Sequence, residues 1–396
     1  MNPQPQPRER LYYVDWLRIG AFALLVLYHV GMVYVPWDFH VKHQPTYAAL
    51  EPLMRLTNPW RMSLLFVVSG LATGLMLGRL GLARERSKRL LLPLLFGMTV
   101  IVPPQAWLQV REQFGYAGSY ADFLRLYFSG YGGFCGPKGC LVLPTWNHLW
   151  FLPYLWCYTM LLLLALRALP AAALRRAADA LARLAGWRLL CLPLLLFGTV
   201  RVLLFPRFGE SHALLDDWAA HAAYASMFAF GVLLARRRQL LQRLQDLRWP
   251  ALTLGLAAWL ALVLYPGSVA GWPAVPELWR LPMRLAFATA QWCGVVAAFG
   301  FARRHLDADH RWRAPLTEAV FPLYLLHQTI LIVTAVALRP LMLSAGLEAA
   351  VVVALTFAGG FAAWQLARRV SGLRPWMGLP AWPPAPARQR AAAPSA

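Results

Sequence analysis

Two side chains interrupt the first long apolar stretch of this sequence, Trp16 to Val35: an arginine, Arg18, and a histidine, His29. They stand eleven residues apart, about three α-helical turns, which puts them within roughly 20° of one helix face and about 16 Å apart along it. Histidine is the side chain suited to taking the proton of an attacking hydroxyl near neutral pH. Arginine is a permanent, fork-shaped cation suited to holding a phosphate or carboxylate. Ionisable groups are costly in lipid, so they usually face a bundle interior or a wet cavity and are functional candidates. In the alternative reading Arg18 snorkels to the headgroups while His29 satisfies a backbone carbonyl. The helix face alone leaves both readings open.

The elements that carry these residues are membrane spans. The chain of 396 residues is 59% hydrophobic and only 14% charged, more apolar surface than a water-soluble fold of this length can hide. Ten stretches are long enough to cross a bilayer: about 16–36, 58–78, 90–109, 148–168, 188–206, 217–235, 250–267, 278–301, 317–338 and 346–367. The fold class is therefore all-α, a polytopic integral membrane protein. The net charge of +21 is no sign of nucleic-acid binding, because alternate loops hold the cations. Examples are Arg79, Arg84, Arg86, Lys88 and Arg89, and later Arg236, Arg237, Arg238, Arg243 and Arg248. This positive-inside pattern places both termini in the cytoplasm, with the basic residues facing anionic headgroups of the lipid bilayer. Arg outnumbers Lys 35 to 3 within the 38 cations; with abundant Ala and Leu, this points to a GC-rich bacterium and a multi-pass protein of its inner membrane.

The N-terminal apolar run is too long for a cleavable signal peptide, contains Arg18 and lacks a small-x-small exit. Residues 1–375 read as one transmembrane domain, and 376–396, rich in Pro and Ala, as a disordered cytoplasmic tail. Segment 169–187 reads as an amphipathic surface helix. The longest outer loop, about 110–147, is aromatic and Gly-rich, which suits either a structured cap or a flexible connector. Cys157, Cys191 and Cys293 lie in spans, where they read as small buried hydrophobes. Cys135 and Cys140 lie together in the outer loop, where an oxidising periplasm permits a disulfide. Two cysteines with no nearby His make no metal site, and no bound cofactor is expected.

Following the spans, polar residues gather toward the external half: His29, Arg61, His148, Arg201, His221, Arg284 and, near mid-span, His327. Singly, several of these read equally well as interfacial anchors. Three strings add detail. Asn58-PWRMSLLFVVSGLATG sets Ser69-Gly70 mid-helix, where a ligand or, more commonly, a neighbouring helix approaches closely. Asn147-HLWFLPYLWCY stacks aromatics, Trp150 among them, behind His148. Glu318-AVFPLYLLHQT puts Tyr324 and His327 on one face, one turn apart, with Gln328 beside them.

Together these strings resemble the membrane acyltransferase-3 family, and within it the branch of the glucan biosynthesis protein C type. The resemblance rests on Asp15-WLR-Arg18, the Arg-x10-His spacing to His29, Trp60-RMSLLFVVSG-Gly70, His148-LWFLPYL-Leu155 and Phe321-PLYLLHQ-Gln328, which span nearly the whole chain. Phe321-Pro322-Leu323 departs from a more usual Tyr-Pro-Phe-like string, which bears on the identity of the acceptor. The resemblance implies transfer of an acyl group, acetyl or succinyl, from cytoplasmic acyl-CoA to a hydroxyl of an extracytoplasmic glycan or other cell-envelope acceptor. His29, Arg18 and His327 are then the expected catalytic residues, with His29 the general base and Arg18 on the donor. Asp15, Arg61, Ser69, His148, Trp150, Tyr324 and Gln328 are expected to contact substrate. Two other functions compete. In a secondary transporter the same Arg and His residues form a proton relay or anion site; in a scaffold they serve helix packing alone.

Overall fold

The computed structural model describes residues 10–137, 139–265 and 276–380, most of them in helices. Lipid leaves no other economical choice for an open chain, since each backbone N–H and C=O must find its partner within the segment. Helices α1 (Tyr12–Tyr34), α2 (Glu51–Thr57) and α3 (Arg61–Met76) open the chain. Helix α4 (Leu82–Phe96) passes through a π-helical turn, Gly97–Ile101, into α5 (Val102–Phe114). Next come α6 (Tyr120–Phe128) and a hairpin of strands β1 (Cys135–Gly136) and β2 (Gly139–Cys140). Helices α7 (Phe151–Ala168), α8 (Ala171–Ala182), α9 (Trp187–Thr199) and α10 (Phe205–Phe208) follow. The chain continues with α11 (Trp218–Arg236), α12 (Arg238–Asp246), α13 (Arg248–Leu264) and α14 (Glu277–His305). Helices α15 (Arg313–Leu338) and α16 (Ala345–Arg369) complete it.

Among the described residues nine helical segments are long and apolar enough to cross a membrane, and ten when α12 and α13, bent by 61°, count as one span. The seventh expected span, 250–267, falls on α13; its final residues, 266–267, lie outside the described residues. Most of the expected tail, 381–396, also lies outside them. Met377 and Leu379 at its start are buried, so ordered structure runs past residue 375.

The chain divides into two compact units, residues 1–83 with 154–317 and residues 84–153 with 318–396. In the first, α3 and α11 interlock through small residues. A Cβ on Gly70 would sit 2.0 Å from the Phe228 carbonyl oxygen, and one on Gly231 would sit 2.0 Å from that of Val67. Gly70 is thus explained by close helix packing, while Ser69 beside it is half-buried. Cys293 is buried and Cys157 half-buried, but Cys191 is exposed on α9; a lipid-covered helix face accepts a small apolar thiol as readily as a core does.

In the second unit the 110–147 segment is folded. Ala106, Val110, Phe123, Tyr127, Phe134 and Leu143 form a buried cluster, and Cys135 is disulfide-bonded to Cys140 across the hairpin. The π turn has a local cause. Pro103 and Pro104 lack N–H groups, so carbonyls a turn earlier lose their helical partners. The Tyr127 hydroxyl supplies one, lying 2.8 Å from the Met98 carbonyl oxygen and 2.9 Å from that of Thr145.

Candidate functional site

In the first unit α1 is one unbroken helix that holds both Arg18 and His29. Asp15 and Arg18, three residues apart, reach the first turn of α15. The Asp15 carboxylate takes a hydrogen bond from Arg313 Nη1, and Arg18 Nη2 points to the Thr317 carbonyl oxygen at 3.5 Å. Arg313 is buried and also donates through Nε to Asp309 Oδ1 at 2.7 Å, which holds the Asp309 carboxyl below the usual carboxylate range. Asp15, an expected substrate contact, is therefore engaged by Arg313 and, at 3.3 Å, by Arg10.

Near the other end of α1, His29 stacks on Phe39 with ring centroids 6.2 Å apart. Its neighbour Tyr28 carries the guanidinium of Arg61 on its ring face, 3.2 Å from the centroid. Arg61 is buried and donates through Nη1 to Asn58 Oδ1 at 3.3 Å. Ser69 uses its backbone carbonyl to accept from Thr73 Oγ1 within α3. Lys42 folds back on the end of α1, its ammonium 2.5 Å from the Met32 carbonyl oxygen and 2.7 Å from that of Val35, where a cation suits the negative end of the helix.

The first unit holds a second polar cluster, in which Asp217 joins residues already marked in the sequence. Tyr154 donates to Asp217 Oδ2 at 2.7 Å and its ring stacks on His221 at 4.7 Å. Asp217 also accepts from the backbone N–H groups of Ser211 and His212. His221 Nε2 lies 2.8 Å from the Leu214 carbonyl oxygen and Nδ1 lies 2.9 Å from the Tyr158 hydroxyl. A carbonyl only accepts, so Nε2 carries the proton and Nδ1 accepts from Tyr158. With both nitrogens engaged, His221 ties the 209–217 loop to α7. Arg201 lies over the Phe287 ring at 3.6 Å and the Phe205 ring at 4.0 Å.

The second unit brings His148, Tyr324, His327 and Gln328 together. A 3-10 turn, Asn147–Trp150, sets His148 and Trp150 into the interior ahead of α7. His148 Nε2 lies 3.0 Å from the Leu325 carbonyl oxygen, so it is the protonated nitrogen. Its Nδ1 faces Gln105 Nε2 at 3.5 Å, and its own carbonyl accepts from the Tyr324 hydroxyl at 2.9 Å. His327 adopts the other tautomer. Its Nδ1 lies 2.7 Å from the Tyr324 carbonyl oxygen one turn earlier and donates to it. Gln105, fully buried, links the set: its Oε1 accepts from Gln328 Nε2 at 2.9 Å and its Nε2 donates to Thr329 Oγ1 at 2.9 Å. Thr329 in turn donates to the Ile101 carbonyl oxygen in the π turn, at 2.7 Å. Gln105 was not singled out by sequence reasoning, although an amide directly after a Pro-Pro pair in an apolar span is a usable signal.

Among the described residues no cluster of His, Cys, Asp or Glu could hold a metal ion.

Comparison with known proteins gives this arrangement a lineage. The family profile described as an acyltransferase domain, acyltransferase-3, matches residues 11–365; the chain belongs to that family. It is 28% identical over 161 residues to the Glucans biosynthesis protein C of Escherichia coli (strain SMS-3-5 / SECEC), covering 38% of this chain and 37% of that protein. Against the protein of the same name from E. coli strain K12 the identity is 27% over 155 residues, with the same shares. The chain thus aligns with just over a third of the length of these relatives. No solved structure matches.

Proposed function

We propose, from the premise of membership in the acyltransferase-3 family, that this multi-pass membrane protein acylates a glycan. The donor is cytoplasmic acyl-CoA, carrying acetyl or succinyl, and the acceptor is a hydroxyl of an extracytoplasmic glycan. The observation that carries the reading is the single helix α1, which holds a histidine and a permanent cation three turns apart. With the basic loops inside, in a bacterial inner membrane, Arg18 lies toward the side where acyl-CoA is made and His29 toward the acceptor. Arg18 grips an anionic group of the donor through its planar fork, and the acyl-bearing arm extends along α1.

In the reaction His29 takes the proton of the acceptor hydroxyl as its oxygen attacks the thioester carbonyl. The C–O bond forms, the C–S bond breaks, and the proton leaves with the CoA thiolate to give an ester and free CoA thiol. His148, protonated at Nε2 and held by Leu325, positions the surrounding turn.

The deciding experiment incubates purified protein with acyl-CoA and a soluble glucan, following free thiol and the mass of the glycan. Thiol release that depends on acceptor, with a matching ester mass on the glycan, is the expected result. Counterflow of an unmodified solute in proteoliposomes without thiol release would replace this reading by transport.

A further inference from the structure

The geometry points to Arg61 as the cation of an anion-binding site, one that takes a carboxylate or another oxyanion of the substrate. The inference rests on the transferase reading for its choice of substrate, but the site itself is argued from charge. Arg61 is only 8% exposed, and among the described residues no carboxylate lies within ion-pair distance of it. Its contacts are the Asn58 amide oxygen, at 3.3 Å, and the face of Tyr28, while its Nε is buried with no acceptor. The other arginines buried as deeply and paired in this fold show the contrast. Arg313 has Asp15 and Asp309, and Arg374 has Glu318 at 3.8 Å.

Position sharpens the imbalance. Arg61 is the first residue of α3, a helix of 16 residues with no acidic residue in its first turn and no side-chain cap. The unpaired N–H groups and the positive end of the helix dipole converge there. A cation at that end is repelled by the helix, and burial removes the water that would screen it. Two positive fields and no counter-charge are stable together when an anion completes them, as helix N-termini do with carboxylates and phosphates. The guanidinium fork fits two carboxylate oxygens at once. Its stacking partner Tyr28 precedes His29 on α1, so Arg61 meets that helix at the level of His29, and the anion it holds is taken to belong to the group on which His29 acts. Two sources supply that chemistry: a terminal carboxylate on a dicarboxylic acyl group, or the oxyanion formed as the thioester is attacked.

The test uses the full chain in detergent, with Arg61→Gln and the charge-keeping Arg61→Lys. Monomethyl succinate, with one free carboxylate, should raise the melting temperature of the unsubstituted protein, and neutral dimethyl succinate should not. Arg61→Gln should abolish that rise and Arg61→Lys should reduce it. In transfer assays a terminal-carboxylate source predicts that Arg61→Gln lowers kcat/KM for succinyl-CoA by at least about 30-fold while acetyl-CoA is little affected. An oxyanion source predicts equal losses in kcat for both donors. A carboxylate-dependent rise that needs Arg61, in a protein that transfers neither group, would keep the site and remove the transferase reading. A folded Arg61→Gln variant with unchanged transfer and an unchanged melting response overturns the proposal.

Discussion

The imidazoles of His148 and His327 meet edge to face, ring centroids 5.0 Å apart and planes at 87°. They reach this arrangement from different elements and in opposite tautomers. His148 spends its proton on the Leu325 carbonyl and His327 spends its proton on the Tyr324 carbonyl. Two histidines in contact thus donate from different ring nitrogens to different carbonyls.

The amide of Gln105 sustains that difference. Gln105→Leu removes the donor facing His148 and the acceptor for Gln328, leaving buried polar atoms unsatisfied at about 1–3 kcal/mol each. The variant should melt measurably lower, and Gln105→Glu should fare no better because it loses the donor. An undiminished melting temperature for Gln105→Leu would remove this network from the account of stability.

For His29, substitution by Ala should reduce acyl transfer at least about 10²-fold, the usual cost of a lost general base, while monodisperse protein remains in the membrane. Single-turnover transfer measures it. Near-normal turnover in a folded His29→Ala would make this histidine structural.

Arg18→Lys keeps the charge and loses the fork. The apparent KM for acyl-CoA should rise with little change in the dependence on acceptor. Lys snorkels to headgroups as well as Arg does, so unchanged donor kinetics would sink the donor-site assignment.

The clamp around Arg313 should matter for folding. Asp15→Asn leaves Arg313 with Asp309 alone and should cost about 1–3 kcal/mol, less than a fully buried pair because Asp15 and Asp309 are partly exposed. The doubly exchanged Asp15→Arg, Arg313→Asp protein should regain part of the loss. No difference between the single and double variants would show that the pair contributes nothing.

Orientation can be read directly. A reporter active only outside the cytoplasm should be silent after Arg390 and active in the 110–147 loop. There the Cys135–Cys140 disulfide should also block thiol reagents until the protein is reduced. The reverse pattern would invert the sides assigned to Arg18 and His29.

What the sequence by itself determined is the local part: the spans, the alternation of basic loops, and the register of Arg18 with His29 on one helix. Hydropathy and charge act on a segment whatever its neighbours are, and i, i+11 spacing is a property of one helix. The pairing of Tyr324 with His327, one turn apart, was legible for the same reason. Tertiary structure decided what each polar group does. Asp15 meets Arg313, nearly three hundred residues away in sequence, and no pattern in either segment announces it. Gln105 became central only when α5 met the His148 turn and α15, and Gly70 proved to be a packing position only against the backbone of α11. The His148 tautomer follows the same logic, because its proton goes to the Leu325 carbonyl that folding brings to 3.0 Å. Hydrogen bonds and ion pairs in lipid are chosen by proximity across helices, and proximity is the one quantity that a one-dimensional pattern of residue types does not carry.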